Sequence, residues 1–271
     1  MKQVKRLTLM VAIGAMVAIA LSAQTVPQVI QGTELERFLT SAKITNLKDI
    51  GTGVTLPQKA TLELDGAVRF GVWKTIDEKK SGVTQMSKGI EIEFQDSWRT
   101  EVAAYELDKL LNLGMVPATI ERAFNGKRGS IQFWVESKMA EADRVKNKIS
   151  PPNAKEWNEQ IGKAQVFDNL IYNTDRHANN MLITEDFRVR LIDHSRSFRP
   201  FSDLREPKKL VRFSKSLLQR LQELDEPMLK EKLGKYLTQF QIGAILKRRN
   251  AILQLAQKLV KEKGEAAVLY P

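Results

Sequence analysis

The feature that most constrains this chain is the spacing of three polar residues. Asp175 follows a predicted helix over 157–171, and Asn180 comes five residues after it. Two short apolar segments then predict a pair of strands, and Asp193 comes directly after the second one. The loop lets Asp175 and Asn180 point into one cleft, and the strand pair returns Asp193 to the side of Asn180. The spacing therefore predicts a single polar site.

Carboxylate and amide oxygens in this order fit phosphoryl transfer from ATP. One carboxylate accepts the proton of the acceptor hydroxyl, while an amide oxygen and a second carboxylate hold Mg²⁺ against the phosphates. Asp175 would take the first role, and Asn180 and Asp193 the second. A rival interpretation is a metal-dependent phosphohydrolase that uses Asp175, His177, Asp193 and His194, because both histidines of the chain lie in this stretch. Such an enzyme would bind its metal tightly without nucleotide.

Three features earlier in the chain add to this interpretation by their order. Gly51 and Gly53 form a glycine turn whose backbone N–H groups could cover phosphates. Lys74 ends a predicted strand, and Glu101 lies in the first turns of a predicted helix, so a cation for the phosphates has an acid to hold it. Taken singly, these features are a tight turn, a solvated lysine and an acid favourable at a helix start. Their order favours phosphate binding, although the Walker sequence is absent.

The predicted secondary structure places strands before helices, which is typical of an α+β, two-lobed protein. In order, the earlier part is predicted to contain a helix over 34–42, two strands joined by Asp65-Gly66, a polar loop over 78–89, a helix over 98–113 and a strand over 130–135. The later part is predicted to be mainly helical and to end in a helix over 242–260 with the basic cluster Lys247-Arg248-Arg249. We predict a lead-in over 24–48, a β-rich N-lobe over 49–150 and a C-lobe over 151–271.

The polar motif resembles the loops of a known group of kinases. Asp175-Arg176-His177 with Asn180 and Ile192-Asp193 resembles the catalytic and metal-binding loops of phosphatidylinositol 3-/4-kinases. The same Asp-Arg-His opening occurs in the secretory-pathway kinases of the Golgi, and HipA-like bacterial kinases are more distant relatives. Residues 100–111 and 115–119 look like the N-lobe helix and following strand of bacterial members. The resemblance implies an atypical, two-lobed, protein-kinase-like fold.

The resemblance implies a binding site for ATP in the N-lobe. Lys74 would contact the phosphates, and Glu101 would pair with Lys74. Residues 133–136 would form the hinge beside adenine, which makes Phe133 and Val135 cofactor-binding residues together with the glycine turn. ATP would be accompanied by Mg²⁺, with Mn²⁺ as an alternative.

The resemblance also implies roles for the polar motif. Asp175 would be the catalytic acid or base, Asn180 and Asp193 would bind the metal, and His177 would help to stabilise the transferred phosphoryl group. The chain departs from the family at His194-Ser195, which replaces the usual Phe-Gly or Asn-Gly after the metal-binding Asp. This departure leaves open a second hypothesis, a catalytically silent nucleotide-binding or scaffold protein on the same fold.

The first 23 residues differ from the rest of the chain. A positive start, an uncharged apolar run over 7–21 and small residues before Gln24 predict a secretory signal peptide cut after Ala23. An uncleaved membrane anchor is the alternative, and it would allow membrane contact. We therefore expect an exported protein of a bacterial periplasm or cell envelope, with a membrane-anchored form as the alternative.

Charge and cysteine content limit the partners. The chain has no cysteine, so disulfides and cysteine-based sites are excluded. A formal net charge of +11 favours anionic partners such as ATP, and no nucleic-acid motif is present, so no nucleic-acid partner is expected. The acceptor is expected to be a hydroxyl of a protein or small molecule. An acidic or phosphorylated acceptor is a further hypothesis, based on the basic residues Arg196, Arg199, Arg205, Lys208 and Lys209.

Overall fold

The computed structural model describes residues 28–51, 56–86 and 89–271. The earlier elements are α1 (Thr33–Ser41), β1 (Lys43–Asp49), β2 (Gln58–Leu64), β3 (Ala67–Lys74), β4 (Asp77–Met86), β5 (Gly89–Ser97), α2 (Trp98–Leu111), β6 (Thr119–Phe124) and β7 (Lys127–Phe133). The later elements are β8 (Met139–Ala140), α3 (Glu141–Lys146), α4 (Ala154–Leu170), β9 (Met181–Ile183), β10 (Val189–Leu191), β11 (Phe213–Ser214), α5 (Lys215–Glu223), α6 (Glu226–Leu233), α7 (Gln239–Lys263), α8 (Glu265–Val268) and β12 (Leu269–Tyr270). The predicted signal peptide lies outside the described residues.

A five-stranded antiparallel sheet forms the β-rich part, in the order β1-β2-β3-β7-β6. The hairpin predicted around Asp65 and Gly66 is confirmed, and these two residues have the positive φ values, 50° and 77°, that a tight two-residue turn requires. Ala60 and Leu62 of β2 are fully buried, and their spacing of two places them on one face of the sheet. That face packs against α1, while α2 contacts β6 and β7.

Residues 78–89, predicted to be a loop, instead belong to a second hairpin formed by β4 and β5. The prediction was wrong because the segment is polar and contains Gly82 and Gly89, so no local pattern favours a strand. Pairing with β5 satisfies its backbone groups, and both glycines adopt positive φ, 73° and 130°. This hairpin lies outside the five-stranded sheet and leads directly into α2.

Helix α2 is confirmed and ends two residues earlier than predicted. Ser97 caps its start by accepting a backbone hydrogen bond in the first turn. At its end, Asn112 has φ of 51°, and the carboxylate of Asp108 accepts the backbone N–H groups of residues 114–116 at 2.9 to 3.0 Å. The two ends fix the helix relative to the chain on either side, which matters because α2 carries Glu101.

Helices dominate the later part of the chain, as the sequence predicted. Phe167 and Leu170 of α4 and Ile245 of α7 are fully buried, and the two helices contact each other. Strands β9 and β10 form the predicted pair, and β8 adds to the other side of β9. The division of the chain at residue 150 stays a prediction. Within the described ranges, no helix has both the length and the apolarity needed to cross a membrane.

Arg248 of α7 is buried, although it belongs to a basic cluster in the sequence. Its guanidinium donates hydrogen bonds to the backbone carbonyls of Leu170 at 2.7 Å and Arg199 at 3.2 Å, and to that of Phe201. Helix α7 is therefore tied to the end of α4 and to the chain that follows Asp193.

Candidate active site

A cavity of about 570 Å³ lies between the five-stranded sheet and the loops that carry Asn180 and Asp193. This volume is in the range of pockets that bind small molecules and cofactors. Its polar end is formed by Lys74, His177, Asn180 and Asp193. Its apolar lining comes from Val72, Phe133, Trp134, Val135, Leu182 and Ile192.

Lys74 lies at the end of β3 and joins two acids that are distant in sequence. Its Nζ is 2.5 Å from Glu101 Oε1 and 2.7 Å from Asp193 Oδ1. Only 11% of the Lys74 side chain is exposed. The predicted lysine and acid pair is thus brought together, and Asp193 is brought to the same ammonium group.

The two carboxylates decide the charge of Lys74. Burial alone would lower its pKa, but the negative charges of Glu101 and Asp193 outweigh burial and raise the pKa above its ordinary value. Burial would raise the pKa of Glu101, yet the charge of Lys74 and the neighbouring His194 ring lower it. Both groups are therefore ionised, and the positive charge lies at the polar end of the cavity.

Helix α2 is joined to the residues that follow Asp193. The second carboxylate oxygen of Glu101, Oε2, accepts the backbone N–H of His194 at 3.0 Å. The carbonyl of Ser195 accepts hydrogen bonds from the Ser97 N–H at 3.0 Å and the Thr100 hydroxyl at 2.9 Å. Asp193 itself has φ of 59°, a left-handed conformation that turns the chain between β10 and these contacts. Glu101 and Asp193 are therefore held in one rigid arrangement.

The loop between α4 and β9 presents Asp175 and Asn180 together. The carbonyl of Asp175 accepts hydrogen bonds from the His177 N–H at 2.9 Å and the Asn180 side-chain amide at 3.1 Å. The carboxylate of Asp175 makes no hydrogen bond to any residue in the described ranges, and His177 is exposed at the cavity. The loop thus leaves one carboxylate free for chemistry.

Arg176 holds this loop in place, a function that the sequence analysis did not assign. Its guanidinium binds the Asp168 carboxylate at 3.0 Å and donates to the carbonyls of Asn180 and Ile192, both at 2.7 Å. It therefore ties the start of the loop to its end and to β10. The only sequence signal was the place of Arg176 between Asp175 and His177.

The donor atoms fit Mg²⁺ bound together with a nucleotide. Asp193 offers a carboxylate, and Asn180, whose amide nitrogen is used by Asp175, keeps its Oδ1 as an oxygen ligand. In residues 28–51, 56–86 and 89–271, no group of three or more His, Asp or Glu side chains could hold a metal ion. Mg²⁺ commonly takes one or two protein ligands and obtains the rest from phosphates and water.

The rival set of ligands, Asp175, His177, Asp193 and His194, is not assembled. His194 has 0% exposure, and its ring lies between Arg176 and Glu101 instead of facing the cavity. A buried ring held by these two groups is not available to a metal in the cavity. This placement removes one ligand from the phosphohydrolase hypothesis.

The predicted hinge lies at the apolar end of the cavity. Phe133 and Trp134 donate their backbone N–H groups to Ala118 and Phe70, at 2.8 and 3.0 Å. Within the described part of the chain, the backbone N–H and C=O of Val135 have no hydrogen-bond partner. An unpaired donor and acceptor beside an apolar pocket are the groups that a planar base such as adenine can bind.

The glycine turn is only partly described. Gly51 has φ of 74°, and its neighbour Ile50 and Pro57, on the two sides of the turn, line the cavity. The described residues on the two sides of this turn therefore lie at the cavity edge. Gly53 lies outside the described residues.

The basic residues after Asp193 do not form one free surface. Arg199 is 2% exposed, and both Arg196 and Arg199 bind the carboxylate of Glu91 on β5, the latter at 2.7 Å. The expectation of a five-residue basic acceptor site is therefore wrong for these two, because both pair with Glu91 of the unpredicted hairpin β4–β5. Arg205 and Lys208 remain exposed.

Asp96, near the end of β5, is a functional candidate that the sequence analysis missed. It is 6% exposed, and its Oδ1 is buried without a hydrogen-bond partner in the described residues. Burial, with a smaller contribution from the charge of Asp193, raises the pKa of Asp96 to about 6. No motif marks this residue, because its proximity to Asp193 depends on the β4–β5 hairpin.

No protein-family model matches the sequence, and no curated protein does. Among solved structures, the chain is similar to hydra Fam20 with a sugar, with a TM-score of 0.66 and 18% identity over 87% of this chain and 91% of that one. It is also similar to the Golgi casein kinase, with a TM-score of 0.65 and 17% identity over 87% of this chain and 78% of that one. The Helicobacter pylori proinflammatory kinase CtkA gives a TM-score of 0.51 and 11% identity over 84% of this chain and 98% of that one. These TM-scores show a shared fold, and the chain therefore has the atypical, two-lobed kinase-like fold that its sequence predicted.

Proposed function

We propose that the chain is an ATP-dependent phosphotransferase, an atypical kinase that transfers the γ-phosphate to a hydroxyl of a protein or small molecule. The observation that carries this proposal is the Lys74 ammonium, held 2.5 Å from Glu101 and 2.7 Å from Asp193 at the polar end of the cavity. A charged lysine fixed by two acids is suited to bind phosphate oxygens.

The nucleotide would be held by groups at both ends of the cavity. When bound, Mg²⁺-ATP supplies the phosphoryl group and a metal charge that offsets the phosphates. Val135 would bind the base through its unpaired backbone groups. Lys74 would bind phosphate oxygens, and Asn180 and Asp193 would present the protein ligands for the metal.

The acceptor hydroxyl would lose its proton to Asp175, whose carboxylate is free of hydrogen bonds within the described ranges. Arg176 would keep this carboxylate in position through the loop contacts described above. His177, exposed at the cavity, would donate a hydrogen bond to the transferred group. Positioning of this kind supplies most of the catalysis of phosphoryl transfer.

The test is calorimetric titration of the chain with ATP, with and without Mg²⁺. We expect Mg²⁺-dependent binding by the wild type and none by Asp193→Ala, because the variant lacks the carboxylate ligand. Asp203→Ala, at an exposed position, should bind like the wild type. Absence of Mg²⁺-ATP binding by the wild type would refute the proposal.

Transfer itself can be followed with ATP labelled at the γ-phosphate. Dephosphorylated casein is a suitable first acceptor, because one structural neighbour is a Golgi casein kinase. An acidic acceptor would be attracted by Arg205 and Lys208, which remain exposed. Turnover of an acidic acceptor that is unchanged in Arg205→Gln/Lys208→Gln would count against that preference.

A catalytically silent nucleotide-binding protein is the second candidate. It is favoured by one observation, the direct contact between Lys74 and Asp193, which occupies one oxygen of the proposed metal ligand. The two candidates differ in a single measurement. Mg²⁺-ATP binding without label transfer to acceptors, to the chain itself or to water would favour the silent protein.

We further propose that the chain is exported by its N-terminal leader, which supports a periplasmic or envelope location. Mass spectrometry of the protein recovered from a bacterial host would reveal a new N-terminus at Gln24 if the leader is cleaved. An intact N-terminus in the membrane fraction would favour the anchored form.

A further inference from the structure

His194 follows Asp193 directly in the chain, and its ring is completely buried. Its Nε2 lies 2.8 Å from Nη2 of Arg176. A guanidinium only donates hydrogen bonds, so Nε2 must accept and cannot carry a proton. The ring is therefore neutral and its proton lies on Nδ1.

The Nδ1 side of the ring faces Glu101. Nδ1 lies 3.7 Å from Glu101 Oε2, the same oxygen that accepts the His194 backbone N–H at 3.0 Å. In the described ranges, Nδ1 has no hydrogen-bond partner, so its link to Glu101 is an electrostatic contact at 3.7 Å. Phe167 packs its ring edge-on against the imidazole, with centroids 6.0 Å apart, and fixes its plane.

These contacts place the His194 ring between Arg176 and Glu101. Arg176 ties the loop of Asp175 and Asn180 together, and Glu101 holds Lys74 at 2.5 Å. His194 is the side chain that contacts both of them. An apolar ring of the same size would fill the space but would leave the Arg176 N–H unpaired.

We propose that His194 is a positioning residue whose neutral, Nδ1-protonated ring couples Arg176 of the catalytic loop to Glu101 of α2 and so keeps Lys74 aligned with Asn180 and Asp193. Its importance for phosphoryl transfer rests on the proposed function. The coupling itself is a property of the folded protein without ligand, and it can be measured separately.

The tautomer is tested by nitrogen-15 NMR of the histidine rings in the full chain. The chain has only two histidines, and His177→Asn identifies the signals of His194. We expect a protonated Nδ1 and an unprotonated Nε2. A protonated Nε2, or signals averaged between the two tautomers, would overturn the proposal.

The coupling is tested with two variants of His194. His194→Phe keeps a planar aromatic ring, slightly larger than imidazole, and removes both nitrogens, whereas His194→Gln keeps an acceptor and a donor. We expect His194→Phe to weaken Mg²⁺-ATP binding about tenfold, a size typical of coupling between sites, and His194→Gln to recover most of the loss. Wild-type affinity in His194→Phe, or equal losses in both variants, would contradict the proposal.

A double-mutant cycle with Glu101→Gln separates this proposal from the proposed function. Unfolding midpoints in urea are measured for the wild type, each single variant and His194→Phe/Glu101→Gln. We expect the two midpoint shifts to be clearly non-additive, because both changes break one connection. Additive shifts would overturn the coupling, whether or not the chain binds ATP. If the shifts are non-additive but the chain does not bind ATP, only the kinase proposal is refuted.

Discussion

Replacement of Asp96 by Asn should change how the stability of this protein depends on pH. Asp96 is 6% exposed, and one of its oxygens is buried without a partner in the described residues. Burial raises its pKa to about 6, Asp193 adds to the rise, and the Ser195 hydroxyl, Arg196 and Lys74 oppose it. In the unfolded chain the same carboxyl has its ordinary pKa of 3.8.

The direction in which stability changes with pH follows from comparing proton binding by Asp96 in the folded and unfolded states. Between about pH 4 and pH 6 the unfolded chain has released the proton of Asp96 while the folded protein still holds it, so stability falls as pH rises. The contribution of the neutral carboxyl is complete below pH 3.8 and is lost as pH passes through about 6. A difference of about two units between the folded and unfolded pKa values of Asp96 corresponds to about 3 kcal/mol in the free energy of unfolding.

The assay is urea denaturation of the wild type and Asp96→Asn between pH 4 and pH 8. The difference between the two proteins isolates Asp96, and the variant should gain up to about 3 kcal/mol relative to the wild type as pH rises. Asp203→Asn is the matched control, since it makes the same change at an exposed position. A constant difference across this range, or a variant that loses relative stability as pH rises, would refute the reasoning.

Two further predictions concern backbone contacts around the site. A Cβ at Gly129 would lie 2.2 Å from the Lys74 carbonyl oxygen, so Gly129→Ala should destabilise the fold by about 3 kcal/mol and weaken Mg²⁺-ATP binding. Gly243→Ala, where a Cβ meets nothing within 4 Å, is the control, and equal urea midpoints for the two variants would contradict the prediction. Arg248→Met should cost about 3 kcal/mol in urea denaturation, because it leaves the carbonyls of Leu170, Arg199 and Phe201 without their buried donor. Lys247→Met, on an exposed side chain, should be nearly neutral, and a similar loss there would show that burial of Arg248 is not the cause.

The polar motif could be predicted because its geometry is mostly local. Asp175 and Asn180 belong to one short loop, and a two-stranded turn returns the chain to Asp193, so short-range rules bring all three residues together. The ion pair between Lys74 and Glu101 was expected only from their order along the chain and from the family resemblance. Their distance of 2.5 Å depends on the packing of α2 beside β7.

The β4–β5 hairpin could not be predicted from its own residues. Its polar, glycine-containing first strand has no alternating pattern, and its backbone groups are satisfied only by pairing with β5. The burial of Arg199 beside Glu91 and the environment of Asp96 both follow from this hairpin. Electrostatic predictions for the segment after Asp193 were therefore wrong for Arg196 and Arg199.

By itself, the sequence determined the fold class, the hairpin around Asp65-Gly66, and the loop that presents Asp175 and Asn180, because periodicity, turn residues and short spacing act locally. Only the tertiary structure decided which polar side chains are free. His194 could have faced the cavity, but it is buried between Arg176 and Glu101. Side-chain burial depends on contacts between segments far apart in sequence, and no local pattern encodes those contacts.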